Sequence, residues 1–410
     1  MGKKVRAMTI GIDATPATRT VKTGTEHYAE ALILALAAMK TEHQFVLYSR
    51  YQPTGKLAQL PANFRWKVMP FPILWSQVRL AVEFLFHPRA VDVMFFPAHV
   101  MPLIHPKRSV ITLHDIGFEH LPELYASEPI GPSFPPIRWL ITLGVRLFTG
   151  FRYRNNELDY HRWATRFALD HAKQVVTVSN ATKRDITTHF HPSVPITVTH
   201  SGFVADRFTP LTPTTKKLVP KQIARQTPYL LFIGRLEAKK NVKTLVEAFG
   251  LVAAKNKKLQ LVLIGRPGYG YADIADAIQA LPADAAKRVH ELGYRGDGEV
   301  RQWLQSAELF TFPSAFEGFG IPPLEAMACG VPVISANGSS LPEVVGTAAK
   351  LVDTYDVPAW ASAIESMLKL AKLQADYRKR GLKHIQTFQW SATAKQTLTV
   401  LETAGANHAK

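Results

Sequence analysis

Only one cysteine, Cys329, occurs in the 410 residues. That excludes an internal disulfide framework and any multi-cysteine metal site, and it suits a reducing compartment. Cys329 itself reads as a small packed apolar residue rather than a nucleophile. Long apolar runs are missing too: Trp139 to Val145 meets arginine on both sides, far short of the roughly 20 apolar residues that span a bilayer. The opening Met1-Gly2-Lys3-Lys4-Val5-Arg6 leads into a strand pattern without the apolar core and cleavage site of a secretory signal, so a cytoplasmic location is expected. No Gly-x-Gly-x-x-Gly follows that first strand, where Gly11 precedes Asp13 without matching glycines, which argues against a nicotinamide or flavin oxidoreductase. No Asp-x-Asp occurs that would hold a divalent ion on a phosphate, and neither a metal nor another cofactor is expected.

Acidic residues are scarce: 32 Asp and Glu stand against 49 Lys and Arg, a net charge of +17. The excess is shared almost evenly between the first 200 residues and the remainder, without a basic tail, so nucleic acid is not the expected partner. Acidic small molecules, an anionic membrane surface or a merely basic exterior all fit such a balance.

What is present points to two α/β domains. With 47% hydrophobic residues, a chain of this length buries more than one core. Short apolar runs at Ala7 to Ile12, Phe45 to Tyr48, Val91 to Phe96, Val110 to Leu113 and Gln174 to Val178 alternate with helical patterns. The rhythm repeats at Tyr229 to Ile233, Leu259 to Ile264, Leu309 to Phe312 and Val331 to Ser335. Continuous apolar strands between helices imply parallel, doubly wound sheets covered on both faces. The expected domains are 1–208 and 229–387, joined by a proline-rich linker at 209–228, with a terminal helix at 388–405 assigned to the first domain.

Open parallel sheets bind ligands beyond the carboxyl ends of their strands, so the loops there carry the chemistry. After Ile233 comes Gly234-Arg235-Leu236-Glu237-Ala238-Lys239-Lys240-Asn241, in which Arg235 and Lys240 offer a guanidinium fork and a point charge suited to a diphosphate. A solvated basic loop would look the same. After Phe312, Glu317-Gly318-Phe319-Gly320-Ile321-Pro322-Pro323-Leu324-Glu325 reads as a tight loop entering a helix whose first turn holds two prolines. Such an N-terminus attracts phosphate oxygens, and Glu317 and Glu325 flank it as acceptors for sugar hydroxyls. The plain alternative makes the two glutamates a capping and dipole pair.

The run EGFGIPPLEAMACGVPVI places Glu317 and Glu325 as an E-x7-E motif, and with GRLEAKKN, SSLPEVVG, TLHDIGF and VSNATKRDI it resembles retaining glycosyltransferase family 4 over most of the chain. The resemblance implies the GT-B fold, in which two Rossmann-like domains face each other across a donor cleft. It implies Arg235 and Lys240 on the diphosphate of a nucleotide sugar, Glu325 on the ribose, Glu317 on the transferred hexose, and the amides of Phe319 and Gly320 beside them. Lys22-Thr23-Gly24-Thr25-Glu26 resembles the family's glycine loop, keeping only Gly24 of the usual pair, and His114-Asp115 its histidine loop near the donor sugar. It further implies transfer with retention, without an enzyme nucleophile or a metal, GDP-mannose as first-choice donor ahead of UDP-hexoses and dTDP-rhamnose, and a glycan or polyprenyl-diphosphate-linked glycan as acceptor in cell-surface polysaccharide synthesis. A GT-B epimerase or a non-catalytic binding relative would share the fold.

One segment exceeds the resemblance, at roughly 126–158. Between 138 and 154 it carries Arg138, Arg146, Arg152 and Arg154 among Trp139, Phe148, Phe151 and Tyr153, with no acidic residue. Peripheral contact of 137–154 with an anionic membrane is expected, an ordinary packed helix being the alternative.

Overall fold

The computed structural model describes residues 6–72, 74–124, 155–204, 207–211 and 228–406, together with 138, 139, 142–144, 146, 152 and 153. Most of 126–158, including Phe148, Phe151 and Arg154, and residues 212–227 of the proline-rich stretch lie outside that set. The chain divides into two units, Met1–Gly202 with Gln389–Lys410, and Phe203–Phe388.

The first unit is built on seven parallel strands: β1 (Thr9–Asp13), β2 (Gln44–Ser49), β3 (Phe64–Val68), β4 (Val93–Phe96), β5 (Ser109–Leu113), β6 (Gln174–Thr177) and β7 (Ile196–Val198), in the order β3-β2-β1-β4-β5-β6-β7. The second has six: β8 (Tyr229–Ile233), β9 (Gln260–Ile264), β10 (Val289–Glu291), β11 (Leu309–Phe312), β12 (Val333–Ala336) and β13 (Ala349–Val352), ordered β10-β9-β8-β11-β12-β13. The central strands are covered on both faces, as their unbroken apolar composition requires: every residue of β4, β5, β11 and β12 is buried. Fully buried rings such as Phe95, Phe232 and Phe310 each contribute about 2 to 3 kcal/mol of transfer free energy.

Helix Trp390–Gly405 belongs to the first unit, packing on helix Gly24–Ala37 and on β4. His43 anchors it. Its Nδ1 accepts the Met8 N–H at 3.1 Å, so its Nε2 carries the proton and donates to Glu402 Oε1 at 3.0 Å. Among the described residues no helix is long and apolar enough to cross a membrane.

In both sheets the order of strands reverses at the middle, between β1 and β4 and again between β8 and β11. Loops leaving neighbouring strands at such a point diverge to opposite faces and open a crevice at the carboxyl edge.

Candidate active site

In the second unit both sequence-predicted loops leave from the β8/β11 reversal. The loop after β8 is fixed by backbone fit: Gly265, following β9, has φ +157, and a Cβ there would lie 1.8 Å from the Gly234 carbonyl oxygen. Only glycine lets the two chains run this close. Arg235 points outward, its side chain 66% exposed and loosely paired with Glu237, Nε to Oε2 3.6 Å. Lys240 ends the short turn Ala238–Lys240 and turns inward, its Nζ 2.5 Å from Glu317 Oε1 with both side chains largely buried.

That pair depends on how the loop after β11 is held. The Ala315 N–H donates to Lys239 O at 2.9 Å, tying the two loops together beside the two charged side chains. From the loop after β12, Ser340 Oγ reaches Glu317 O at 2.8 Å and Phe319 O at 2.9 Å, and Ser339 Oγ donates to Glu317 O at 2.6 Å. Ser340 is fully buried. Its replacement by alanine should therefore cost about 1 to 3 kcal/mol of stability in denaturant unfolding, because the one hydroxyl proton that the two carbonyls share is lost, while Glu317 O keeps its Ser339 donor.

Helix Ile321–Ala328 begins at Gly320, whose φ of +101 and contact distance of 2.7 Å from an added Cβ to Leu341 Cδ2 leave no place for a side chain. A helix starts with four N–H groups lacking intrahelical partners. Pro322 and Pro323 remove two of these, so Gly320 and Ile321 supply the remaining amides of the first turn. Glu325 follows just over one turn later. Burial lifts its pKa to about 7, opposed only by the charge of Arg207. Lys240, Glu317, Gly320 and Glu325 thus lie around the beginning of one helix, with Arg235 on the neighbouring loop.

The first unit carries the other two predicted residues. Gly24 is the first residue of its helix, behind a capping box in which the Glu26 carboxylate accepts the Thr23 N–H at 3.0 Å. A Cβ on Gly24 would meet nothing within 4 Å. His114 follows β5. Its Nε2 donates to Pro97 O at 2.9 Å, which leaves Nδ1 with the acceptor lone pair, and burial holds its pKa below the usual histidine value. The His114 N–H donates to His99 Nε2 at 2.9 Å, and Thr182 Oγ1 to His114 O at 3.1 Å. The VSNATKRDI segment therefore braces the histidine loop from helix Asn180–Phe190. Burial, reinforced by the neighbouring His114, takes the pKa of His99 down to about 3, so the supporting imidazole stays neutral.

Sequence reading passed over Ser339, Ser340, Gly265, Ile321 and His99 as individual actors. Their roles lie in contacts across the fold, and only the small-residue pair before Leu341-Pro342 hinted at one of them. Among the described residues no group of three or more His, Cys, Asp or Glu is arranged to hold a metal ion.

Two parallel-sheet Rossmann-like units with a basic loop and a glutamate-flanked helix start define a GT-B protein. Residues 214–384 match the family model described as Glycosyl transferases group 1. The chain is 30% identical over 304 residues to the O-antigen chain mannosyltransferase B of Escherichia coli, covering 72% of this chain and 77% of that one. It belongs to the group 1 glycosyltransferase family. Similar solved structures include sucrose-phosphate synthase of Thermosynechococcus elongatus, at TM-score 0.70 and 18% identity over 97% of this chain and 99% of that one. Anabaena HepE in complex with UDP-glucose has TM-score 0.69 and 17% identity over 97% of this chain and all of that one.

Proposed function

We propose that this glycosyltransferase is a retaining, metal-independent enzyme of family 4 that moves a hexosyl group, mannosyl first, from a nucleotide-diphosphate sugar to a glycan or polyprenyl-diphosphate-linked glycan. The observation that carries this reading is the inward Lys240 against Glu317 at the start of helix Ile321–Ala328. A cation and a carboxylate side by side suit the two ends of such a donor, its diphosphate and its sugar hydroxyls. Mannose is favoured because the relative with 30% identity is an O-antigen mannosyltransferase, and UDP-glucose bound to HepE supports a nucleotide sugar as donor.

In this mechanism Arg235, Lys240 and the Gly320 and Ile321 amides stabilise charge growing on the leaving phosphate. Glu325 accepts the ribose hydroxyls and Glu317 those of the hexose, while His114, with Nδ1 as its free acceptor, takes a hydrogen bond from a sugar hydroxyl. The departing diphosphate accepts the acceptor's proton on the face it leaves, so attack occurs there and the anomeric configuration is retained. No enzyme nucleophile takes part.

Incubation with a panel of nucleotide sugars, scored first by thermal stabilisation, tests the donor: a ligand at 100 times its Kd adds about 2.7 kcal/mol. GDP-mannose should stabilise most. Proton NMR of the product then reads the anomeric configuration, and an inverted product overturns the mechanism. Rates should stay within about twofold in excess chelator, because the cationic side chains do the work of a divalent ion. A strict metal requirement would refute this.

A further inference from the structure

The hydrogen bond from His114 Nε2 to Pro97 O, at 2.9 Å, fixes one corner of the imidazole but not its plane. The ring can still turn about the line from Cβ to Nε2, and such a turn swings Nδ1 away from a sugar hydroxyl. Two other rings stand across it. The His99 ring lies 5.6 Å away at an interplanar angle of 71°, and the Tyr28 ring 4.8 Å away at 90°. His99 also holds the backbone, since its Nε2 accepts the His114 N–H. Tyr28 comes from outside the histidine loop altogether, buried on helix Gly24–Ala37.

Tyr28 is itself backed. Trp390, at the start of the last helix, places its ring 5.6 Å from that of Tyr28. Trp390 sits in turn on Gly202, where an added Cβ would lie 2.5 Å from the indole Cγ. The Tyr28 ring, rather than its hydroxyl, carries this packing. Thr112 and Thr199 lie beside that hydroxyl, yet among the described residues none of the three side-chain oxygens completes a hydrogen bond. A buried hydroxyl left unpaired costs stability, so the ring is the reason for an aromatic residue here.

We propose that Tyr28 is a positioning residue for His114: its ring, braced by Trp390, bars the imidazole from turning and keeps Nδ1 on the transferred hexose. The inference rests on the sugar role given to His114 above. Perpendicular rings attract through a positive edge against a negative face, so a leucine fills the space without holding the plane. Misplacing a contact by about 1 Å can cost about a hundredfold in rate.

The test uses the full chain in a cycle of parent, Tyr28→Leu, His114→Ala and the double change. It is read by hydrolysis of GDP-mannose, which needs no acceptor, and by nitrogen NMR of labelled histidine without nucleotide. Tyr28→Leu should lower kcat about tenfold or more with the donor KM within about twofold, and the conservative Tyr28→Phe should restore it. In the His114→Ala background Tyr28→Leu should change turnover by less than about twofold, whereas a ring that only fills the core carries its loss into both backgrounds. The His114 signals, assigned by their absence from His114→Ala, should show the Nε2-protonated form in the parent and in Tyr28→Phe, and both tautomers in Tyr28→Leu. Trp390→Leu should shift them the same way, and it decides the matter where Tyr28→Leu does not fold. The proposal is overturned by unchanged His114 signals in the folded variant, by equal losses in both backgrounds, or by a Tyr28→Phe as impaired as Tyr28→Leu. Parental turnover in His114→Ala removes the sugar role of His114, and this proposal with it, even where the signals shift as expected.

Discussion

Lys240→Ala and Arg235→Ala should each lower kcat/KM by roughly two to three orders of magnitude, a loss on the order of 3 to 4 kcal/mol in transition-state stabilisation. Neither change should unfold the protein. Arg235 is two-thirds exposed with one loose ion pair, so its removal leaves no buried partner stranded. Lys240 differs, since its loss leaves Glu317 beside the helix start without its counter-ion. Lys240→Ala should therefore also perturb sugar selectivity, whereas Arg235→Ala should not. Steady-state kinetics with two hexose donors measure both effects, and wild-type turnover in either variant would remove the diphosphate clamp from the mechanism.

Glu325→Gln should change the pH dependence of stability. The carboxyl moves from an ordinary pKa of 4.5 to about 7 in the folded chain because its charged form is desolvated. A raised acid pKa means that the folded state holds its proton longer than the unfolded state. Stability is therefore greatest below pH about 4.5, falls as pH rises to about 7, and stays level above, the drop being about 3 kcal/mol. Glutamine removes that slope, so without nucleotide the variant should be more stable than the parent at pH 8 and similar at pH 4.5. Ribose hydroxyls donated to the carboxylate would favour its charged form, so the parent should regain this stability on binding nucleotide and the variant should bind more weakly. Denaturant titrations at the two pH values, with and without nucleotide, decide this. A parallel pH profile in both proteins would show that Glu325 does not carry the titration.

The sequence made the central strands legible because burial on both faces writes itself as an unbroken apolar run, as in Tyr-Leu-Leu-Phe-Ile of β8. Four strands escaped it. β3 alternates Phe64, Trp66 and Val68 with Arg65 and Lys67 at a sheet edge, β7 and β10 have three residues each, and β13 contains Lys350. Three of the apolar runs reach two residues ahead of their strands: those at Ala7, Val91 and Val331 pair only from Thr9, Val93 and Val333. In the site, charge and glycine spacing marked Arg235, Lys240, Glu317 and Glu325, since those residues carry their chemistry themselves. Ser340 and Gly265 act through neighbours about 20 to 30 positions away, which no local pattern records. Tyr28 was hidden for the same reason. His-Tyr-Ala-Glu-Ala-Leu looks like any helix until the fold shows which rings close on it.

The return of helix Trp390–Gly405 to the first unit has a consequence for synthesis. The 186 residues of Phe203–Phe388 must be translated before the ribosome reaches the element that covers Tyr28, whose ring lies 5.6 Å from that of Trp390, and β4. At ordinary elongation rates this is a wait of roughly 10 to 40 seconds. During it the nascent first domain holds an open apolar groove while the second domain is free to fold ahead of it. Removing residues 389–410 would therefore injure the domain encoded at the opposite end of the gene, and a separately expressed first domain needs the last helix fused back onto Gly202.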